Sequence, residues 1–131
     1  MSRRGSGVVL IAVLLVALAL SALLLTSVLF ASLDAASARN AQQRVVSEAA
    51  AEAGLQIGAA VVLEAWRLGQ ATPVGSLGPW PADGIAATAR VSAPAPDRAR
   101  IDAQAGGPGP GARRWVLLER VGTGAVVLAR P

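Results

Sequence analysis

The feature that most restricts this chain is a run from Val8 to Leu33 in which no residue is charged and only Ser21, Thr26, Ser27 and Ser32 interrupt the apolar side chains. As a helix, these 26 residues reach roughly 39 Å at about 1.5 Å per residue, longer than the ~30 Å hydrocarbon core of a bilayer, so the segment spans with tilt or with one end emerging. Seventeen of them are Val, Ile, Leu or Phe. At about −0.3 to −0.6 kcal/mol each near the helix centre, they favour insertion by roughly 5 to 10 kcal/mol. Arg3 and Arg4 precede the run, and Asp34 and then Arg39 follow it, so the positive-inside rule puts the short N-terminus in the cytoplasm and the remainder outside. The competing reading is a cleavable secretory signal ending at Ala36-Ser37-Ala38. It is disfavoured because the apolar run far exceeds a signal h-region and the helical pattern continues through the supposed cleavage site.

Residues 34–70 contain no Pro and are rich in Ala, Leu, Glu, Gln and Arg, all strong helix formers. Val46, Ala50, Ala53, Ile57, Ala60 or Val61, and Leu68 recur at spacings near three and four, whereas Arg44, Glu48, Glu52 and Gln56 form a polar row four apart. This pattern predicts one long helix over about 7–69, roughly 90 Å in length, with any bend falling near Gly54 and Gly58. Those two glycines, with Ala50 before them, put small residues at four-residue spacing. The spacing either admits a sheet or partner helix at close range or reflects the general abundance of small residues here. Leu68-Gly69-Gln70-Ala71-Thr72-Pro73 stops the helix, because Gly suits a C-terminal cap and Pro cannot continue the turn.

Residues 72–84 hold three Pro and three Gly and are expected to form a loop, with Trp80 folded back over apolar surface. Ile85–Ser92 and Arg98–Ala105, joined by Ala93-Pro94-Ala95-Pro96-Asp97, predict one hairpin. Arg114–Arg120 and Ala125–Ala129, flanking Val121-Gly122-Thr123-Gly124, predict a second. The Gly/Pro stretch from Gly106 to Gly111 reads as a structureless connection and is far too short for a collagen repeat. The expected fold class is therefore α+β, with about four antiparallel strands. So small a sheet cannot bury a core by itself and must pack on the amphipathic half of the helix, with Trp66 and Trp115 as candidate core residues.

The sequence has no Cys, no His and no Lys. A disulfide framework, thiolate or imidazole zinc sites, Ser-His or Cys-His pairs, a Lys Schiff base and a P-loop are thus all excluded. Glu48 and Glu52 stand one turn apart, yet beside Arg44 they read as a solvated ion-pair row rather than a catalytic pair. No catalytic, metal or cofactor residues are nominated, and an enzyme is not expected.

Arg3-Arg4-Gly5-Ser6 ahead of Val8-Val9-Leu10-Ile11-Ala12-Val13-Leu14-Leu15, together with Ser47-Glu48-Ala49-Ala50-Ala51-Glu52-Ala53-Gly54-Leu55, resembles type IV pilin-like proteins. The second segment looks like the "AEAGL" stretch common in PilX-like minor pilins. The resemblance covers the whole architecture and implies a pilin-like organisation. Residues 1–7 would be a cytoplasmic leader, 8–33 a transmembrane helix, 34–70 its amphipathic continuation, and 71–131 a loop and small antiparallel sheet.

The resemblance further implies cleavage by a prepilin peptidase after Gly5, with N-methylation of Ser6; Gly7 is the alternative site. The other implied partners are further pilin subunits met through the N-terminal helix, the inner-membrane assembly platform and membrane lipid, with a cell-surface filament as the end state. Major pilins carry Glu at mature position five, but Leu10 stands there, or Ala12 after the alternative cut, and no acid precedes Asp34. That departure favours a minor pilin or a tip-type pseudopilin, such as the K-type, over a major subunit, and the resemblance fits a type IV pilus, a competence pseudopilus or a type II secretion pseudopilus alike. Arg98, Arg100, Arg113 and Arg114 are candidates for contact with DNA phosphates or an acidic partner, against the simpler reading of a solvated face. The alternative overall reading is an unprocessed single-pass anchor or accessory protein of another envelope complex.

Overall fold

The computed structural model describes residues 3–82, 84–106 and 111–130. Two compact units divide the chain, Met1–Arg39 and Asn40–Pro131. Helix α1 runs from Arg3 to Arg67, close to the expected 7–69, with no interruption at Asp34, Ser37, Gly54 or Gly58. It begins within the stretch expected to be a leader; Met1 and Ser2 lie outside the described residues.

The C-terminal end of α1 is closed by a glycine in the left-handed region. Gly69 has φ +72°, its N–H donates to the Trp66 carbonyl at 3.0 Å, and the Gln70 N–H donates to the Ala65 carbonyl at 2.8 Å. This bond pair is the Schellman arrangement, which satisfies carbonyls that the ending helix would leave open.

Five strands follow: β1 (Gly75–Ala82), β2 (Ile85–Ala95), β3 (Arg98–Gly106), β4 (Ala112–Val121) and β5 (Gly124–Ala129). They form one antiparallel meander in sequence order, so β1 and β5 are its edges. Both expected hairpins are present, with tighter turns than expected. The fifth strand is β1, which occupies the segment expected to be a loop. Its Gly and Pro content misleads because an edge strand bonds on one side only and tolerates residues without an N–H. The β1–β2 register shifts between Leu77 and Trp80, where Gly78 and Pro79 bulge out of the ladder. Gly106 belongs to β3, and residues 107–110 of the expected connection lie outside the described residues.

In the second unit, one sheet face packs on α1. Ala87, Ala89 and Val91 of β2, Ala99, Ile101, Ala103 and Ala105 of β3, and Val116 and Leu118 of β4 are buried at alternating positions. From the helix come Ser47, Ala50, Ala51, Leu55, Val62, Ala65 and Trp66, with Gly54 and Gly58 buried among them. Of the stripe expected from hydropathy, Val46 is half-buried and Ala50 buried, but from there on the buried face lies about one residue, roughly 100° of helix rotation, away from it: Ala53, Ile57, Ala60, Val61 and Leu68 are exposed. Close approach decides the matter. A Cβ on Gly58 would stand 2.8 Å from Ile101 Cγ2 and 3.4 Å from the Ala89 Cβ, so the alanine-rich sheet seats against glycine, where the two backbones come nearest, rather than against the bulkier row.

Trp66 is core, as expected. Its indole N–H donates to Thr72 Oγ1 at 2.9 Å, and the Arg120 guanidinium caps its carbonyl at 3.1 Å. Trp80 packs against the core as a partly buried residue. Trp115 does not join it: on β4 it alternates with buried Val116, faces away from the helix and is half-buried beneath Arg100.

Candidate functional site

Two surfaces carry the chemistry of this chain, and each belongs to its own unit. The first is the apolar part of α1. From Val8 to Leu33 every large apolar side chain is exposed, and the four polar residues are satisfied within the helix. Ser21 Oγ donates to the Ala17 carbonyl, Thr26 Oγ1 and Ser27 Oγ to the Leu23 carbonyl, and Ser32 Oγ to the Leu29 carbonyl, each at 2.8 Å. A hydroxyl bonded back to its own helix needs no external partner, which removes the main penalty for placing it in hydrocarbon. The helix is long and apolar enough to cross a membrane.

Gly5 and Ser6, the residues assigned to processing by resemblance, lie in the first turns of α1. Gly54 and Gly58 serve the sheet of the same chain, which answers the question their spacing raised. Ala103 and Ala87 approach to 3.6 Å from a Cβ placed at Gly54, an ordinary contact, whereas Gly58 has no such room.

The second surface is the outer face of the sheet. Between residues 40 and 131 nine arginines meet seven acids, an excess of two positive charges. The same excess stands on this face, where Arg90, Arg98, Arg100 and Arg113 face Asp102 and Glu119. The four arginines named from the sequence do not converge there. Arg98 pairs across the strands with Glu119 at 3.3 Å. Arg100 forms a two-pronged bond to Asp102, Nε to Oδ2 at 3.1 Å and Nη2 to Oδ1 at 3.1 Å, while lying 5.0 Å above the Trp115 ring. Arg114 falls on the opposite, helix-facing side and reaches Glu48 at 3.7 Å. Arg113 shares the outer face with Arg90, which the sequence reading missed; neither forms an ion pair among the described residues. The signal that could have separated Arg113 from Arg114 was strand parity, since adjacent residues of a strand point to opposite faces.

Glu52 is tied to Arg130 and Glu48 to Arg114, so both helix carboxylates hold the sheet's last strands rather than form a pair with each other. Glu64 and Arg67 bond along the helix at 2.8 Å. That bond holds the Glu64 carboxyl below its ordinary range and raises the Arg67 guanidinium further. Among the described residues no three acidic side chains come together in a way that could hold a metal ion. Compared with known protein families, with curated proteins and with solved structures, the chain matches none.

Proposed function

We propose that this chain is a minor pilin or pseudopilin. It would be held in the inner membrane by the apolar part of α1, with its N-terminus in the cytoplasm, matured by a prepilin peptidase between Gly5 and Ser6, and lifted by an assembly platform into a filament of pilin subunits. The observation that carries the reading is the second apolar stripe on α1 in the unit outside the apolar run. Beside the face covered by the sheet, Ala49, Ala53, Ile57, Ala60 and Val61 remain exposed, with Leu68 exposed just past the helix end; Glu64, tied to Arg67, interrupts the stripe. A helix packed on one small domain in water would carry polar residues there. An apolar stripe suits a helix that is later enclosed by other helices, as in a filament.

Such a transfer moves residues 8–33 from lipid to other apolar side chains. Little hydrophobic energy changes, and side-chain packing between helices supplies the specificity. The absence of an acid before Asp34 lowers the cost of leaving or entering the bilayer, since a lone carboxylate in hydrocarbon costs several kcal/mol. It also removes the register-setting contact with a neighbour's N-terminal amine, which favours a minor subunit.

The test uses Ile57→Cys in this cysteine-free chain. A water-soluble maleimide should label the thiol in membranes before assembly and fail to label it in sheared filaments. Equal labelling in both fractions, or absence of the chain from the filaments, overturns the reading.

A further inference from the structure

The two edges of the sheet are built differently. Edge strand β1 carries Pro79 and Pro81, which have no N–H to offer, and its ladder is bulged between Leu77 and Trp80; these are devices that stop a sheet from growing. Edge strand β5, Gly124–Ala129, carries no charge and no Pro; its own register shift, between Leu117 and Leu118, falls at Leu128 and leaves the ladder from Gly124 to Val127 regular. Val126, Val127 and Leu128 are 51%, 56% and 43% exposed.

Its ladder shows which groups are free. The two-residue turn at Gly122 and Thr123 makes Val121 and Gly124 the first hydrogen-bonded pair, so Glu119 and Val126 form the next. Ala125 and Val127 then oppose Arg120 and Leu118 without bonding to them. The N–H and C=O groups of Ala125 and Val127 accordingly point away from the sheet, along its open edge. On the helix side the core also runs on past this edge. An open groove of about 210 Å³ is lined by Leu55, Ala59, Val116, Leu118 and Val127, with Glu52, Gln56 and Arg130 at its rim.

We propose that β5 is a homotypic docking edge, on which the β5 of a second copy of this chain pairs antiparallel about a two-fold axis at Val126. In that register Ala125 of each copy bonds Val127 of the other through both backbone groups, giving four inter-chain hydrogen bonds from the groups left free. Val126 meets its own counterpart on the axis, as a non-hydrogen-bonded pair with Cα atoms about 4.5 Å apart. On the helix side, Ala125 and Val127 of the second copy extend the apolar wall of the groove.

Charge fits this occupant. No charged residue lies within either strand, and Arg130 falls opposite Gly122, so no like charges face each other. The proline-bearing β1 edge cannot substitute for either partner strand, so the pairing closes at two copies and does not propagate as an open head-to-tail sheet. Three apolar side chains and a short groove fall well below the ~1,000 Å² that a stable interface buries, so the pair is transient and is best read by covalent capture. The proposal rests on the β5 edge alone and stands whether or not the chain enters a filament.

The experiment uses the full chain in detergent, with single cysteines introduced at Val126→Cys and, on the closed edge, Ser76→Cys. The expected Cα separation at position 126 lies within the disulfide range, so mild oxidation should yield dimer at Val126→Cys in roughly tenfold excess over Ser76→Cys. Adding Val127→Pro removes an N–H that bonds nothing within the chain, and adding Val127→Lys places a repelling charge beside the axis. Each should return the dimer yield to the Ser76→Cys level with the unfolding midpoint unchanged. If the proline variant unfolds, the lysine variant decides. Equal yields at positions 126 and 76, or a yield at 126 that survives Val127→Lys, overturns the proposal.

Discussion

Replacing Gly58 and Gly54 separately with Ala should move stability in opposite directions, although the two sites share a helix, a face and a chemistry. Within a helix, Gly→Ala stabilises by about 0.5 to 1 kcal/mol through lost backbone freedom in the unfolded chain. At Gly54 the added methyl meets nothing nearer than 3.6 Å, so the full gain is expected. At Gly58 it meets Ile101 Cγ2 at 2.8 Å. That methyl is fixed on a β-branched side chain that is fully buried, so it has no path of retreat, and overpacking of this kind costs about 1 to 3 kcal/mol. Gly58→Ala is therefore expected to be less stable than Gly54→Ala by about 1 to 3 kcal/mol, which for a unit of this size separates their unfolding midpoints by roughly 4 to 8 °C per kcal/mol. The assay is thermal unfolding of the full chain in detergent, followed by tryptophan fluorescence, which reads Trp66 in the core. Equal midpoints, or a more stable Gly58→Ala, would refute the claim that close approach sets which helix face the sheet covers.

Other consequences follow from the same geometry. Trp66→Ala should cost about 3 to 5 kcal/mol, whereas Trp66→Phe, which keeps most of the packing but loses the bond to Thr72, should cost a smaller part of that; chemical denaturation measures both. Exchanging Leu14 and Leu20 together for Arg adds about 5 to 7 kcal/mol of charge burial, comparable to the whole insertion energy of the span, so carbonate should extract the variant from membranes while the parent resists. Arg67→Gln should raise the Glu64 carboxyl toward its ordinary range, as read by NMR titration. In the parent, the small stabilisation from this bond is present above that ordinary range and fades as pH falls through the lowered value.

The long apolar helix was legible because an uncharged apolar run of this length needs no periodicity to be recognised, and the end of α1 because Gly69 and Pro73 are chemically unambiguous stops. Both hairpins were legible for a similar reason, since Pro96-Asp97 and Gly122-Thr123 sit between alternating segments. What escaped depends on long-range packing. Nothing local marks 75–82 as a strand; it pairs because β2 offers a partner and an edge forgives Pro79 and Pro81. The covered face of α1 was misjudged because hydropathy ranks Ile57 and Val61 above Gly54 and Gly58, whereas contact between a helix and an alanine-lined sheet rewards the absence of a side chain. Trp115 was assigned to the wrong side of β4, and Arg114 was grouped with Arg113 although they face opposite ways, because the strand's parity becomes fixed only once Val116 and Leu118 are known to be buried. Of the outer-face arginines, Arg98, Arg100 and Arg113 could be named from the sequence and Arg90 was missed, while the pairing of Arg98 with Glu119 and of Arg100 with Asp102 is a matter of cross-strand register and of neighbours two apart on one strand.

The proposed role of the apolar helix as a pilin-type assembly segment is tested most directly by the mass of the chain's N-terminus. Membranes from cells with and without an active prepilin peptidase should differ. With the enzyme, the first residue is an N-methylated Ser6, and a Gly5→Leu variant stays uncut; without it, the terminus is Met1 or Ser2. An unprocessed terminus in both preparations, or a chain cut beyond Leu33, would contradict the claim.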